Sequence, residues 1–256
     1  MLGGLSNVSS QLSQLYSSNG QQLAQSLTRI ASGKKIQSAA DDFGGYIRAN
    51  KISSDLAVFE IAKRDLANAK GMADYAAATG SAVVESLSKL KSIAEQHAAT
   101  DDTDEQAALA AEFTAIKTAL TTTIAEAKYD DTAVFAAATL TTVDLGPDSG
   151  SLEFTISAIP TIASALVTDA GSVQTAITGA ATYLAEAQAF RSQVGDFQKL
   201  TDTVIASKQA ERSVIEDVDD MSEMARVTDL QVRQQAAVSM MAQANMSRMG
   251  IMQLFV

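Results

Sequence analysis

The residues able to do chemistry in this chain are few: one histidine, no cysteine, and two short acidic clusters. His97 would need a nucleophile to activate or a carboxylate to orient it, and there is no cysteine to serve. It also continues an apolar helical stripe, so it reads as a structural or helix-end residue. Asp101, Asp102, Asp104 and Glu105 have the carboxylates of a cation site but lack the glycine and terminal glutamate spacing of a calcium loop. They suit a helix start instead: acids favour the positive end of the helix dipole, and Thr103 with Gln106 fits a capping box. Asp217, Asp219 and Asp220 read as a solvated patch marking a change of layer, with a weak cation site as the lesser alternative. No glycine-rich phosphate loop or zinc spacing occurs. Asn7-Val8-Ser9 has the form of a glycosylation acceptor without a basic-then-apolar leader to give it context. The expectation is a protein that is not an enzyme, with no catalytic residue, no cofactor and no metal.

Behind these residues stands one dominant helical pattern. Ile52, Leu56, Phe59, Ala62, Leu66, Ala69, Ala73, Ala76, Gly80, Val83, Leu87, Leu90, Ala94 and His97 follow one another in steps of three and four, the spacing of a helix in a coiled-coil-like bundle. Such a helix would be roughly 65–70 Å long, which implies a rod and partner helices of similar length. Gly71 and Gly80 cost helix propensity but let neighbours approach. Leu109, Phe113, Ile116, Leu120, Ile124 and Ala127 mark a shorter antiparallel partner closed by Tyr129-Asp130-Asp131. A second long seam runs from Val173 through Ala176, Ala180, Tyr183, Ala187, Phe190, Val194, Phe197 and Thr201 to Val204. Between them, residues 139–145 and 152–156 flank the turn at 146–150 and read as a β-hairpin, in a segment that holds both prolines, Pro147 and Pro160. The fold class is therefore mainly α: a long antiparallel helical bundle or coiled-coil rod with one small β-hairpin.

Composition agrees. At 46% apolar but only 5% aromatic, the chain suits narrow helix–helix seams better than a broad globular core. The net charge is −11, and residues 51–213 hold 12 bases against 22 acids, a balance of −10 that repels nucleic acid and anionic membranes. No window is apolar enough to span a membrane, so neither nucleic acid nor membrane insertion is expected.

The ends differ. Residues 1–28 contain no charged side chain, and Arg248 is the only one from Gln234 onward. Leu5, Val8, Leu12 and Leu15 lie on one helical stripe, followed after a slip by Leu23, Leu27 and Ile30. The last helix, from Met221, carries Val238, Met241, Asn245, Met249, Met252, Leu254 and Phe255 on several faces. Burial in one large monomeric bundle would be the plain explanation, yet exposed faces of monomeric helices normally carry Lys and Glu, and here they carry Ser, Gln and Asn. A helix surrounded by copies of itself cannot hold many like charges, so self-association is preferred.

Residues 27–42, Leu-Thr-Arg-Ile-Ala-Ser-Gly-Lys-Lys-Ile-Gln-Ser-Ala-Ala-Asp-Asp, closely resemble the N-terminal signature of flagellins, a Leu-x-x-Leu-Ser-Ser-Gly stretch followed by Ile-Asn-Ser-Ala-x-Asp-Asp. Ile215-Glu216-Asp217, Gln234-Gln235-Ala236 and the run from Met241 to Asn245 resemble the matching C-terminal signature. The resemblance covers about residues 1–135 and 172–256. It implies a subunit of the bacterial flagellar filament whose terminal helices pair as an inner layer. In that reading 1–32 and 221–256 are inner-tube helices, 33–45 and 214–220 connectors, 46–132 and 166–213 the core rod, and 133–165 an outer hairpin dispensable for assembly. The connector motif is Arg29, Ser32, Gly33, Ile36, Ser38, Asp41 and Asp42. The partners implied are further copies of the chain in a helical homopolymer, a flagellar export chaperone and the type III export apparatus, and the hook-associated junction and cap proteins. The location implied is extracellular, in the filament. The rival readings are a hook–filament junction protein of the same superfamily and a secreted coiled-coil effector.

Overall fold

A computed structural model describes the backbone of residues 2–136, 138–147, 150–159 and 165–253, with the side chains of all of these but 2–9, 138–139, 248 and 251–253. The elements are α1 (Leu2–Ser32), α2 (Phe43–Ala99), α3 (Thr103–Glu126), β1 (Lys128–Tyr129), β2 (Thr132–Ala133), β3 (Ala138–Asp144), β4 (Ser151–Ile156), α4 (Ala170–Glu216) and α5 (Asp220–Gln253). They fall into two compact units, Asp55–Ser207 and the combination of Met1–Ser54 with Lys208–Val256. The chain is mainly helical with a small antiparallel hairpin, as its periodicity dictates.

In the unit of residues 55–207, α2, α3 and α4 turn their seams inward. Every α2 seam position expected from Leu56 to Ala94 is buried, and His97 is half-buried; Ile52, in the other unit, is buried too. On α4, Val173, Ala176, Ala180, Tyr183, Ala187, Phe190, Val194 and Thr201 are buried, and on α3, Phe113 and Leu120. Gly80 is where α2 meets Tyr183: a Cβ there would stand 3.0 Å from the ring. Tyr183 is fully buried and its hydroxyl donates to the Val134 carbonyl at 2.8 Å. Burial, with a smaller contribution from Tyr75, pushes that phenol above its ordinary range.

The hairpin departs from expectation. β3 and β4 pair antiparallel with a bulge between Thr139 and Thr141, but the segment does not stand outside the helical seams. Val134, Phe135, Leu140, Val143, Phe154, Ile156, Ile159 and Ala165 are buried in the same cluster as the α2 and α4 seams. Phe154 stacks on Phe190, centroids 4.1 Å apart and planes 6° from parallel. Gly146, at φ +117, has Phe59 so close that a Cβ would lie 2.5 Å from the ring. The physical reason is that the helical seams alone do not cover their aromatic residues; alternating apolar positions on the hairpin finish the job.

Two local details also differ. The cap of α3 is Asp102, whose Oδ1 accepts the N–H of Asp104 at 2.9 Å and of Glu105 at 3.3 Å, so Thr103 is the first helical residue rather than the cap. Gln106 turns back to the Thr100 carbonyl at 2.7 Å instead of completing a capping box. And β1 and β2 form a tight hairpin not foreseen in the sequence. Its central residues, Asp130 (φ 48) and Asp131 (φ 61), are both left-handed, as a primed two-residue turn requires.

Candidate assembly surface

The second unit holds α1, α5, the first turns of α2 and the last turns of α4. Its centre is the pair of connectors. Gly33, at φ +69, turns the chain out of α1. The Gly33 carbonyl then accepts the Val218 N–H at 3.0 Å, and the Lys35 N–H donates to the Glu216 carbonyl at 2.7 Å, a short antiparallel bridge between chain segments nearly two hundred positions apart. The Lys35 ammonium adds a bond to the Val214 carbonyl at 3.0 Å.

Each residue of the signature near Gly33 has a local task. Gln37 holds the end of α1, its Nε2 donating to Ser32 Oγ at 2.6 Å and to the Thr28 carbonyl at 3.1 Å. The Asp41 carboxylate accepts the N–H groups of Gln37 (3.1 Å) and Ser38 (2.9 Å) and the Ser38 hydroxyl (3.1 Å). Those bonds, helped by Arg29, hold its pKa below the ordinary range. Asp42 caps α2, accepting the Gly45 N–H at 3.1 Å. Ile36 is buried against Gly45, where a Cβ would lie 2.5 Å from its Cδ1. Arg29 reaches Glu223 at 4.0 Å.

Glu216 receives Arg212 Nε at 3.0 Å and Lys34 Nζ at 3.2 Å, with 13% of its side chain exposed. Burial raises its proton affinity, but the two cations outweigh that and hold its pKa below the ordinary 4.5. A carboxyl depressed in the folded state binds its proton more readily when unfolded. Its stabilisation is therefore complete above about pH 4.5 and is lost as pH falls through the lower folded value. Circular dichroism melts of Glu216→Gln across that range should show lower stability at neutral pH and a flatter acid limb than the parent. Parallel limbs would mean that Glu216 contributes nothing to acid sensitivity.

From this junction α1 and α5 run back together. On α5 the positions turned inward are Glu223, Val227, Leu230, Gln234, Ala237, Met241 and Ala244, in alternating steps of four and three. On α1 the buried positions among the described residues are Asn19 and Ser26, seven apart. The stripe expected on α1 is thus split: Leu12, Leu23 and Ile30 are half-buried, whereas Leu15 and Leu27 are 52% and 49% exposed. Among the described residues the pair buries three polar side chains, Asn19, Ser26 and Glu223, against two large apolar ones, Val227 and Leu230, and Asn19 Nδ2 and Glu223 Oε1 have no hydrogen bond. Meanwhile Tyr16, Met221, Met224, Val232, Val238, Met240, Met246 and Met249 are exposed. Of the other expected contact residues, Met241 is half-buried and Asn245 exposed. Leu5, Val8 and Met252 lie in the helices, their side chains undescribed, and Leu254 and Phe255 lie outside the described residues.

The remaining chemistry is structural. Asp219 caps α5, its Oδ1 accepting the N–H groups of Met221 (3.1 Å) and Ser222 (3.3 Å). Among the described residues no three His, Cys, Asp or Glu side chains are grouped to hold a metal. No described helix is long and apolar enough to cross a membrane.

Long helices whose terminal pair leaves Leu15, Leu27, Val238 and Met240 uncovered suit a subunit completed by other protein surfaces. The family model of the bacterial flagellin N-terminal helical region matches residues 6–139, and that of the bacterial flagellin C-terminal helical region matches residues 171–255. The chain is 27% identical over 262 residues to flagellin FljM of Caulobacter vibrioides, covering 95% of this chain and 94% of that one. It is 28% identical over 245 residues to a flagellin of Halalkalibacterium halodurans, covering 89% and 90%. The chain belongs to the bacterial flagellin family: it is a structural protein of the flagellar filament, not an enzyme, and self-assembly is its activity.

Proposed function

We propose that this chain builds the filament through its two ends, with residues 1–32 and 221–256 as an inner layer joined by connectors 33–45 and 214–220 to a rod of 46–132 and 166–213. The polymerisation surface comprises Leu5, Val8, Leu12, Leu15, Leu23, Leu27 and Ile30 of α1, and Val238, Met241, Asn245, Met249, Met252, Leu254 and Phe255 at the other end. One observation carries this reading: besides Val227, Leu230 and Ala237, the described residues that α1 and α5 bury are Asn19, Ser26 and Glu223, while Leu15, Leu27, Val238, Met240, Met246 and Met249 are left in water. Apolar groups so placed are covered by neighbouring copies, and flexible Met side chains adapt to packings that differ slightly around a helical polymer.

The same surface must be shielded before assembly, which fits a flagellar export chaperone and passage through the type III export apparatus to the outside of the cell. At the ends of the polymer, hook-associated junction and cap proteins would meet it in place of another copy. Limited proteolysis tests the assignment. Monomer should trim to a stable fragment of about residues 45–215, because a helix pair so poor in apolar burial is marginal alone, while assembled filaments should resist. Ends that resist protease equally in monomer and filament would defeat it.

A further inference from the structure

We infer that a lateral contact between copies seats the acidic β1–β2 turn of one subunit in a basic notch on the flank of another. The turn presents Asp130 and Asp131, both exposed and neither with a partner among the described residues. Adjacent like charges in left-handed conformation are an unfavourable choice where Asn-Gly would close the turn easily, and no partner among the described residues rewards it. The notch lies elsewhere in the same unit, a space of about 420 Å³ lined by Lys70 of α2 and Gln188, Arg191, Ser192 and Gly195 of α4. Arg191 is fixed by Asp74 at 2.6 Å, whereas Lys70 has no acid partner among the described residues.

Gly195 points to an occupant from outside. It sits inside α4, where glycine is a poor helix former, and a Cβ there would meet nothing within 4 Å. Packing against the described residues therefore does not demand a glycine, and its missing side chain leaves the notch wider.

The placement suits a polymer. Asn68 of α2 lines the crevice beside Asp130, and Lys70, two positions on, points roughly 160° away around the helix. Turn and notch thus lie at the same level of α2 on nearly opposite sides. A contact between different surfaces of identical copies is heterologous, the kind that propagates into helical filaments instead of closing a dimer. The inference rests on the assembly reading above and adds to it a charged contact away from the terminal helices.

The chain has no cysteine, so an engineered pair reports unambiguously. Subunits carrying Asp131→Cys and Ser192→Cys, oxidised after polymerisation, should run as a ladder of covalent multimers on a non-reducing gel, and oxidised monomers should not. A second variant guards against misfolding caused by the Asp131→Cys change in the turn: Asp130→Asn with Asp131→Asn suits the turn at least as well. It should raise the critical concentration for assembly roughly threefold to tenfold and weaken its dependence on salt. Normal filaments without a ladder, or an unchanged critical concentration in the Asn variant, would overturn the contact and leave the assembly reading standing. A parent chain that never polymerises would overturn both.

Discussion

Phe154→Ala is expected to destabilise the protein by about 3–5 kcal/mol, the range for deleting an aromatic ring from a packed core. Phe154 is 1% exposed and lies flat on Phe190. Phe190 belongs to the α4 seam that packs with α2, so the cavity would open between hairpin and helices where neither can collapse. Replacing all of residues 143–154 by a short turn should do worse, since it removes Val143 as well and uncovers Phe59, which Gly146 approaches. Chemical denaturation followed by circular dichroism measures this, with Thr142→Ala, an exposed neighbour, expected within about 0.5 kcal/mol of the parent. If Phe154→Ala changed stability no more than Thr142→Ala, the hairpin would be an appendage after all.

This expectation reverses the one drawn from sequence, and the reason is physical. The seam on α2 is legible because a step of three and four held over forty residues is compatible with one conformation and one buried face. Leu66, Leu87 and Leu90, fully buried, can be named without knowing what they touch. A short strand carries no such redundancy. Leu152, Phe154 and Ile156 alternate with polar residues, and Leu140 and Val143 stand apart among threonines, which identifies strands with an apolar face but not what that face covers. Prolines, glycines and a gap in the helical pattern make the segment look peripheral. The β1–β2 hairpin leaves no such mark, because its turn is Asp-Asp, without the glycine that usually signals one.

The ends are legible in composition rather than in geometry. Leu12, Leu15, Leu23 and Leu27 read as one broken stripe, whereas against α5 it is Asn19 and Ser26 that turn inward. A single sequence superimposes contacts within a chain on contacts between copies. Where a helix has both, its apolar residues do not fall on one stripe, and on the proposed assembly surface the slip between Leu15 and Leu23 would be the trace of that conflict. The connector is more transparent: Ser32, Gly33, Ser38, Asp41 and Asp42 are turn and cap residues whose bonding follows from their side chains. What needs the fold is the bridge from Gly33 and Lys35 to Glu216 and Val218, with the contacts of Lys34 to Glu216 and Arg29 to Glu223.

Removing residues 246–256 is expected to abolish polymerisation while leaving the 55–207 core folded. The segment contains Met246, Met249, Ile251, Met252, Leu254, Phe255 and Val256, with Arg248 as its one charge. Met246 and Met249 are 60% and 67% exposed, so the subunit loses little of its own packing with them. Full burial of a large apolar side chain is worth about 1.5–3 kcal/mol. Half-burial of only two or three of these seven against neighbouring copies would still be about 3 kcal/mol, more than a hundredfold in the concentration at which filaments form. The inward positions of α5 among the described residues, Glu223 to Ala244, precede the cut, and the described core cluster draws on neither α1 nor α5. The truncated protein should thus melt at the parent's temperature yet fail to extend filament seeds at a hundred times the parent's critical concentration, read by sedimentation and electron microscopy. Filaments growing at the parent's concentration would remove this end from the assembly surface. A lowered melting temperature would show that it braces the subunit itself, and the nearly uncharged, methionine-rich sequence would then need another explanation.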